Sequence, residues 1–163
     1  MTGRSTATIA LMLGLAAFAL ILGALGFQYF GHLPPCEMCM WQRYPQIAAA
    51  IVGVGGFLLL RTNAFPDGAA AGVGIATAVL IAISGLIGVY HAGVEWHWWA
   101  GPQACTGQAF RGTGALDLNA PVVMCDHAAW RLFGLSLAGY NAILSLGLAA
   151  AGLAGVAGSR RGT

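Results

Sequence analysis

Apolar residues fall into four long runs, separated by a proline-rich connection, a tight polar link and one long mixed segment. The first run, Ala7 to Phe30, carries no charge. At about 1.5 Å of rise per residue, a helix of this length crosses a hydrocarbon core of about 30 Å. The second run, Gln46 to Leu60, is short. It crosses comfortably only if its helix begins near Trp41, which places Arg43 in the first turn at headgroup depth. Pro34 and Pro35 stop the first helix from running on, and Pro45 suits the first turn of the next. Arg61 to Asp67 is the tight link. Gly68 to His91 forms a third span, whose Gly68-x-x-x-Gly72 and many alanines allow close helix packing, a small-residue pattern that is also common by chance. A fourth begins at Leu137. The pattern predicts an all-α membrane protein: a four-transmembrane-helix bundle in one domain, residues 1–163. Its spans lie at about 7–30, 42–60, 68–91 and 137–157. Two outer loops, 31–41 and 92–136, join them, the second long and interfacial.

Composition agrees. Hydrophobic residues make up 58% of the 163 and charged residues 7%, against roughly a quarter charged in soluble domains. The net charge is +2 and there is no lysine, which excludes a basic nucleic-acid surface. A cleaved signal peptide is set aside, because the first apolar run is too long and no Ala-x-Ala site follows. Polar positions inside the spans are few. Gln28 is the amide near the outer end of the first, placed either to anchor at the interface with Tyr29 or to contact a bound headgroup. Asn141 and Ser145 lie in the fourth. The absence of an ionisable residue in mid-span argues against transport.

Charge sets the orientation. Arg4, Arg61, Arg160 and Arg161 occupy the two ends and the short link, whereas Arg43, Arg111 and Arg131 belong to the cysteine-bearing side. Arg43 falls within a helix and Arg111 far from any span, so the positive-inside rule puts both termini in the cytoplasm. All four cysteines then face outward. In a bacterium that is the oxidising periplasm, where disulfides persist, and the membrane is the inner one. Trp96, Trp98, Trp99 and Trp130 crowd the long loop, a density typical of the membrane interface.

The chemistry lies in Cys36, Cys39, Cys105 and Cys125. Four cysteines allow three connectivities. Adjacency favours Cys36 with Cys39, which leaves Cys105 with Cys125, and sequence alone does not choose. A zinc site could draw on the Cys-x-x-Cys pair and on His32, His91, His97 or His127, but Cys105 and Cys125 lack a knuckle spacing. Structural disulfides are a second reading. A redox reading uses more of the features: exchange needs a thiolate, a nearby cation favours one, and Arg43 follows Cys39 by four residues. Such an arginine also suits the developing anion of a reduced quinone, or simply snorkels to lipid phosphates.

Three stretches resemble the DsbB family of membrane disulfide-forming proteins. They are Pro35-Cys36-Glu37-Met38-Cys39-Met40-Trp41-Gln42-Arg43-Tyr44-Pro45, Tyr90-His91-Ala92-Gly93-Val94-Glu95-Trp96 leading to Cys105-Thr106-Gly107, and Cys125-Asp126-His127-Ala128-Ala129-Trp130-Arg131 continuing to Asn141. The likeness spans both cysteine pairs and nearly the whole chain. It implies a quinone-dependent protein-disulfide oxidoreductase that reoxidises a periplasmic thioredoxin-like dithiol oxidase of the DsbA type. By position, Cys105 would form the mixed disulfide with that partner, Cys125 would attack Cys36, and Cys39 would pass electrons to ubiquinone or another membrane quinone. Arg43 matches the family arginine that supports the quinone. His91 and Glu95 fall where the family often has histidine and glutamine near it. The carboxylate of Glu95 departs from that pattern and repels a reduced quinone unless it is protonated or turned away. Two rivals are a vitamin K epoxide reductase-like enzyme, against which the flanks of Cys125 argue, and a non-enzymatic bundle with stabilising disulfides.

Overall fold

The structure, a computed structural model, describes residues 2–62, 64–103, 105 and 123–161. Four long helices make up almost all of it: α1 (Thr2–Tyr29), α2 (Glu37–Arg61), α3 (Ala70–Glu95) and α4 (Leu137–Arg161). Each contains a stretch long and apolar enough to cross a membrane. Large apolar side chains such as Met12, Phe18, Leu22, Ile51, Leu58, Leu86 and Ile143 are exposed around the outside. A surface apolar all round is that of a bundle whose solvent is lipid.

α1 and α3 each pack on the other three helices. α2 and α4 face each other across the bundle, bridged by amide side chains. The core is built from small residues and a few large ones: Leu13, Ala17, Ala49, Ala78, Ile81 and Ala149. Small residues let helix backbones approach closely, which is how helices associate where lipid supplies no hydrophobic drive. Two helix backbones meet closely where Gly14 of α1 faces Gly53 of α2. A Cβ on Gly53 would lie 2.6 Å from the Ala10 carbonyl oxygen and 2.7 Å from the Gly14 Cα. The close packing that Gly68 and Gly72 would allow is not found, since both face open space. Gly68 lies in a short 3-10 turn, Asp67–Ala69, ahead of α3, and Gly72 in the first turn of α3 points away from its neighbours.

Helix ends place the site, and here the expected boundaries shift. α2 begins at Glu37, so the first outer loop ends at Cys36 and not at residue 41. Cys36 is extended and caps the helix, its sulfur accepting the Cys39 N–H at 3.2 Å. Pro45 therefore sits well inside α2 and not in its first turn. α3 runs on to Glu95, which puts both His91 and Glu95 on a helix. It ends where His97 takes a left-handed conformation, φ 59°. His97 N–H then bonds to the Val94 carbonyl and Trp98 N–H to the Gly93 carbonyl, the pairing of a Schellman stop. A small hairpin, β1 (Arg131–Leu132) and β2 (Leu135–Ser136), leads into α4. Ser136 caps α4 by accepting the Gly139 N–H at 3.1 Å, as serine commonly does.

Candidate functional site

The start of α2, the end of α3 and the start of α4 meet at one end of the bundle, and all four cysteines gather there. Cys36, Cys105 and Cys125 are buried with Met38 and Val94, and Cys39 and Val123 pack against them. Cys105 and Cys125 form a disulfide with Cα atoms 5.3 Å apart. Cys36 and Cys39 are free thiols, so of the two pairings that adjacency favoured, one is closed and the other open. Their sulfurs lie 2.7 Å apart. Loss of two electrons and two protons would join them with little backbone movement. The hydrogen bond to Cys39, and then burial, pushes the Cys36 thiol far above the ordinary thiol range.

Beside the thiols runs a chain of amides inside the bundle. His91 Nε2 is 3.6 Å from the Cys36 sulfur. Gln42 Nε2 lies 2.8 Å from His91 Nδ1 and also donates to the Met38 carbonyl at 3.3 Å. Asn141 Nδ2 donates to Gln42 Oε1 at 2.8 Å and to the Ser84 carbonyl at 3.3 Å. Gln46 donates to Ser145 Oγ at 2.8 Å and to Asn141 Oδ1 at 3.3 Å. Gln42 and Gln46 are one turn apart and both buried. Buried amides of this kind hold one geometry because each lost partner costs about 1–3 kcal/mol. Sequence reasoning passed over Gln42, Gln46 and Ser84. The available signal was two glutamines at i, i+4 spacing next to an apolar span, with Asn141 and Ser145 at the same spacing in another.

A cavity of about 270 Å³ opens next to this network. One wall is the outer half of α1 (Leu20, Ala24, Phe27) and the other the start of α4 (Leu137, Tyr140, Leu144). These two helices touch further along, where Gly152 meets Leu13 and Gly155 meets Ile9. Cys36, Cys39, Gln42, Arg43, Gln46, His91, Glu95, Trp130 and Asn141 also line it. Arg43 is half-buried. It reaches across to α1, donating to Gln28 Oε1 at 2.6 Å and to the Ala24 carbonyl at 3.4 Å. Gln28 does not line the cavity and instead holds Arg43. Glu95 is buried, with Oε1 3.7 Å from His91 Nε2. Ser136 hydrogen-bonds to the Glu95 carboxyl, and among the described residues Glu95 Oε2, like Gln46 Oε1, meets no partner in good hydrogen-bond geometry.

The cysteine sulfurs of Cys36 and Cys39 and a ring nitrogen of His91 lie within 4.8 Å of one another, so of the four histidines weighed for zinc, His91 is brought to the thiols. His127 lines the cavity but is exposed and bonded to Asp126 at 2.9 Å. That hydrogen bond holds the Asp126 carboxyl below its usual range. His97 sits edge-on to His127, and His32 is exposed near the start of the first loop. Trp99 stacks on Tyr90 and donates to its carbonyl at 2.8 Å, while Trp130 packs between Phe27 and Tyr140. Arg111, Thr106 and Gly107 lie outside the described residues.

With this geometry in place, comparison with known proteins is decisive about kinship. The family model described as disulfide bond formation protein DsbB matches residues 6–155. The chain belongs to the DsbB family. A "Disulfide bond formation protein B" of Dechloromonas aromatica (strain RCB) is 25% identical over 150 residues, covering 85% of this chain and 84% of that protein. "Uncharacterized protein RP370" of Rickettsia prowazekii (strain Madrid E) is 22% identical over 131 residues, 73% of this chain and 69% of its own length. No solved structure matches the chain. DsbB membership and four spanning helices make this a multi-pass membrane protein of disulfide-bond formation.

Proposed function

We propose that this DsbB-family protein is a single-domain quinone-dependent thiol oxidase that reoxidises a DsbA-type dithiol protein. The observation that carries the reading is the meeting of two cysteine pairs in one buried cluster, beside an apolar cavity with an arginine at its wall. Electrons enter where the closed disulfide lies. Cys105 takes the partner's thiolate into a mixed disulfide, and Cys125, released as a thiolate, attacks Cys36 of a Cys36–Cys39 pair that has already been closed. The Cys36–Cys125 bond forms, the Cys36–Cys39 bond breaks and Cys39 leaves as a thiolate. Electrons leave through the Cys36–Cys39 dithiol, which gives up two electrons and two protons as it closes. Cys39, in the first turn of α2 with Arg43 one turn on, is the thiol nearer the cation.

The cavity wall fits a quinone headgroup. It is mostly apolar, with a few convergent polar groups, as small-molecule sites are. The Arg43 guanidinium has five N–H donors in a planar fork, more than its three contacts to Gln28, Ala24 and Met40 use. Gln46 Oε1, on a residue that lines the wall, is a buried acceptor without a hydrogen-bond partner among the described residues, which a hydroxyl could satisfy. A bound quinone such as ubiquinone supplies the two-electron, two-proton sink. Arg43 would hold it, with Gln28 fixing the fork, and His91 and Glu95 would face it from α3. Space between α1 and α4 gives an isoprenoid tail a way out to lipid. The cysteines face the periplasm, both termini the cytoplasm, and the membrane is the bacterial inner membrane.

The test is turnover. Purified protein in lipid, given a reduced DsbA-type dithiol and ubiquinone, should yield partner disulfide and quinol together. Quinone left unreduced while the partner binds would leave a structural bundle in its place.

A further inference from the structure

The amide chain, anchored on two backbone carbonyls, fixes which nitrogen of His91 carries the proton. A carbonyl oxygen only accepts. The Asn141 atom 3.3 Å from the Ser84 carbonyl is therefore its NH₂ group. That same group lies 2.8 Å from Gln42, so Gln42 presents its oxygen there. The other end of the Gln42 amide is then its NH₂, which agrees with its 3.3 Å contact to the Met38 carbonyl. This NH₂ sits 2.8 Å from His91 Nδ1. Nδ1 must accept, and in a neutral imidazole the proton then resides on Nε2. Nε2 is the nitrogen 3.6 Å from the Cys36 sulfur and 3.7 Å from Glu95 Oε1.

We infer that Ser84, Asn141 and Gln42 hold His91 as the Nε2–H tautomer, and that this N–H receives the Cys36 sulfur when it is expelled as a thiolate. The inference rests on the proposed thiol relay and deepens it. In that relay Cys36 carries a disulfide to Cys125. Cys105 thiolate then attacks the Cys125 sulfur, so the Cys105–Cys125 bond forms, the Cys36–Cys125 bond breaks and the electron pair departs on Cys36. No proton changes hands in that step. Its products are those of this structure: Cys105 joined to Cys125, and Cys36 free beside Cys39. A second sulfur anion next to Cys39 in a buried site is costly, and Cys36 resists ionisation there. A preset N–H supplies what water supplies at an exposed thiol. Gln42 and Asn141 are positioning residues, acting through His91. The same tautomer turns an N–H, not a lone pair, toward the two sulfurs, which is the wrong end of the ring for a zinc ligand.

The test is nitrogen-15 NMR of histidine-labelled protein with Cys36 and Cys39 reduced, the His91 signals being those lost in His91→Asn. The expected result is a protonated Nε2 and a bare, hydrogen-bonded Nδ1. Gln42→Glu replaces the donor with a carboxylate acceptor and should invert the pattern. A wild-type His91 protonated on Nδ1 overturns the inference without any variant having to fold. The second readout is the single-turnover rate at which Cys36 becomes free to alkylate after reduced partner is added, expected to fall ~10-fold or more in Gln42→Glu, as loss of a hydrogen bond to an ion implies. An inverted tautomer with an unchanged rate removes the proposed role. If Cys36 is released normally but no quinol forms, the relay's last step fails while the tautomer and its role stand.

Discussion

Replacing Arg43 with lysine keeps the charge and removes the fork. In the structure the guanidinium uses two nitrogens to bridge α2 to α1: one donates to Gln28 Oε1 at 2.6 Å and the other to the Ala24 carbonyl at 3.4 Å. Those acceptors lie one turn apart, so a planar group meets both while facing the cavity. A lysine ammonium is a single point and cannot span them and also reach a ligand carbonyl. A hydrogen bond involving an ion is worth roughly 1.5–3 kcal/mol. Arg43 is only half-buried, and solvent discounts the value toward the low end. About 1.5–2 kcal/mol corresponds to a rise of about 10–30-fold in apparent KM for quinone. Steady-state titration with ubiquinone measures it, run beside single-turnover formation of the Cys105 mixed disulfide, which should stay near normal. Gln28→Leu should produce a smaller rise in the same direction. If the lysine variant shows unchanged quinone kinetics, Arg43 is a headgroup anchor and the cavity is not its workplace.

Three further outcomes follow from the fold. Gly53→Ala should lower stability by about 1–3 kcal/mol, the usual cost of overpacking, because its Cβ would press on the α1 backbone. Gly55→Ala, with open space beside it, should be neutral or gain up to about 1 kcal/mol; thermal unfolding in detergent compares the two. A reporter fused after Thr163 should be active in the cytoplasm and silent outside, and the reverse would overturn the orientation. Quenchers in the lipid phase should dim the tryptophans of the long loop, and single-tryptophan variants retaining Trp96, Trp98, Trp99 or Trp130 would show whether each is held at the membrane.

The fold was legible because each span announces itself by length and apolarity, and the cysteines by spacing. The exact start of α2 was not. Pro45 reads as a first-turn residue, yet a proline inside a helix costs one N–H bond, and the Cys36 sulfur caps the helix two turns earlier. The close contacts were misplaced for a similar reason. Gly68-x-x-x-Gly72 has the right spacing, but which face a helix turns inward depends on its partners, and these chose Gly14 and Gly53. The redox residues could be named from Cys-x-x-Cys and Arg43. Their support could not, since Gln42, Ser84 and Asn141 come from three helices and only folding brings them together. Gln28 was noticed for being polar in an apolar run, while its role depends on a contact to Arg43 fifteen residues away.

The central claim is that the Cys36–Cys39 dithiol delivers its electrons to a quinone in the adjoining cavity. Protein carrying the Cys105–Cys125 disulfide and reduced Cys36 and Cys39, mixed without oxygen with one equivalent of ubiquinone, tests it directly. The account predicts one quinol and one Cys36–Cys39 disulfide per protein molecule, read by quinone absorbance and by peptide mass under non-reducing conditions. Thiols that stay reduced while the quinone absorbance holds steady would contradict it.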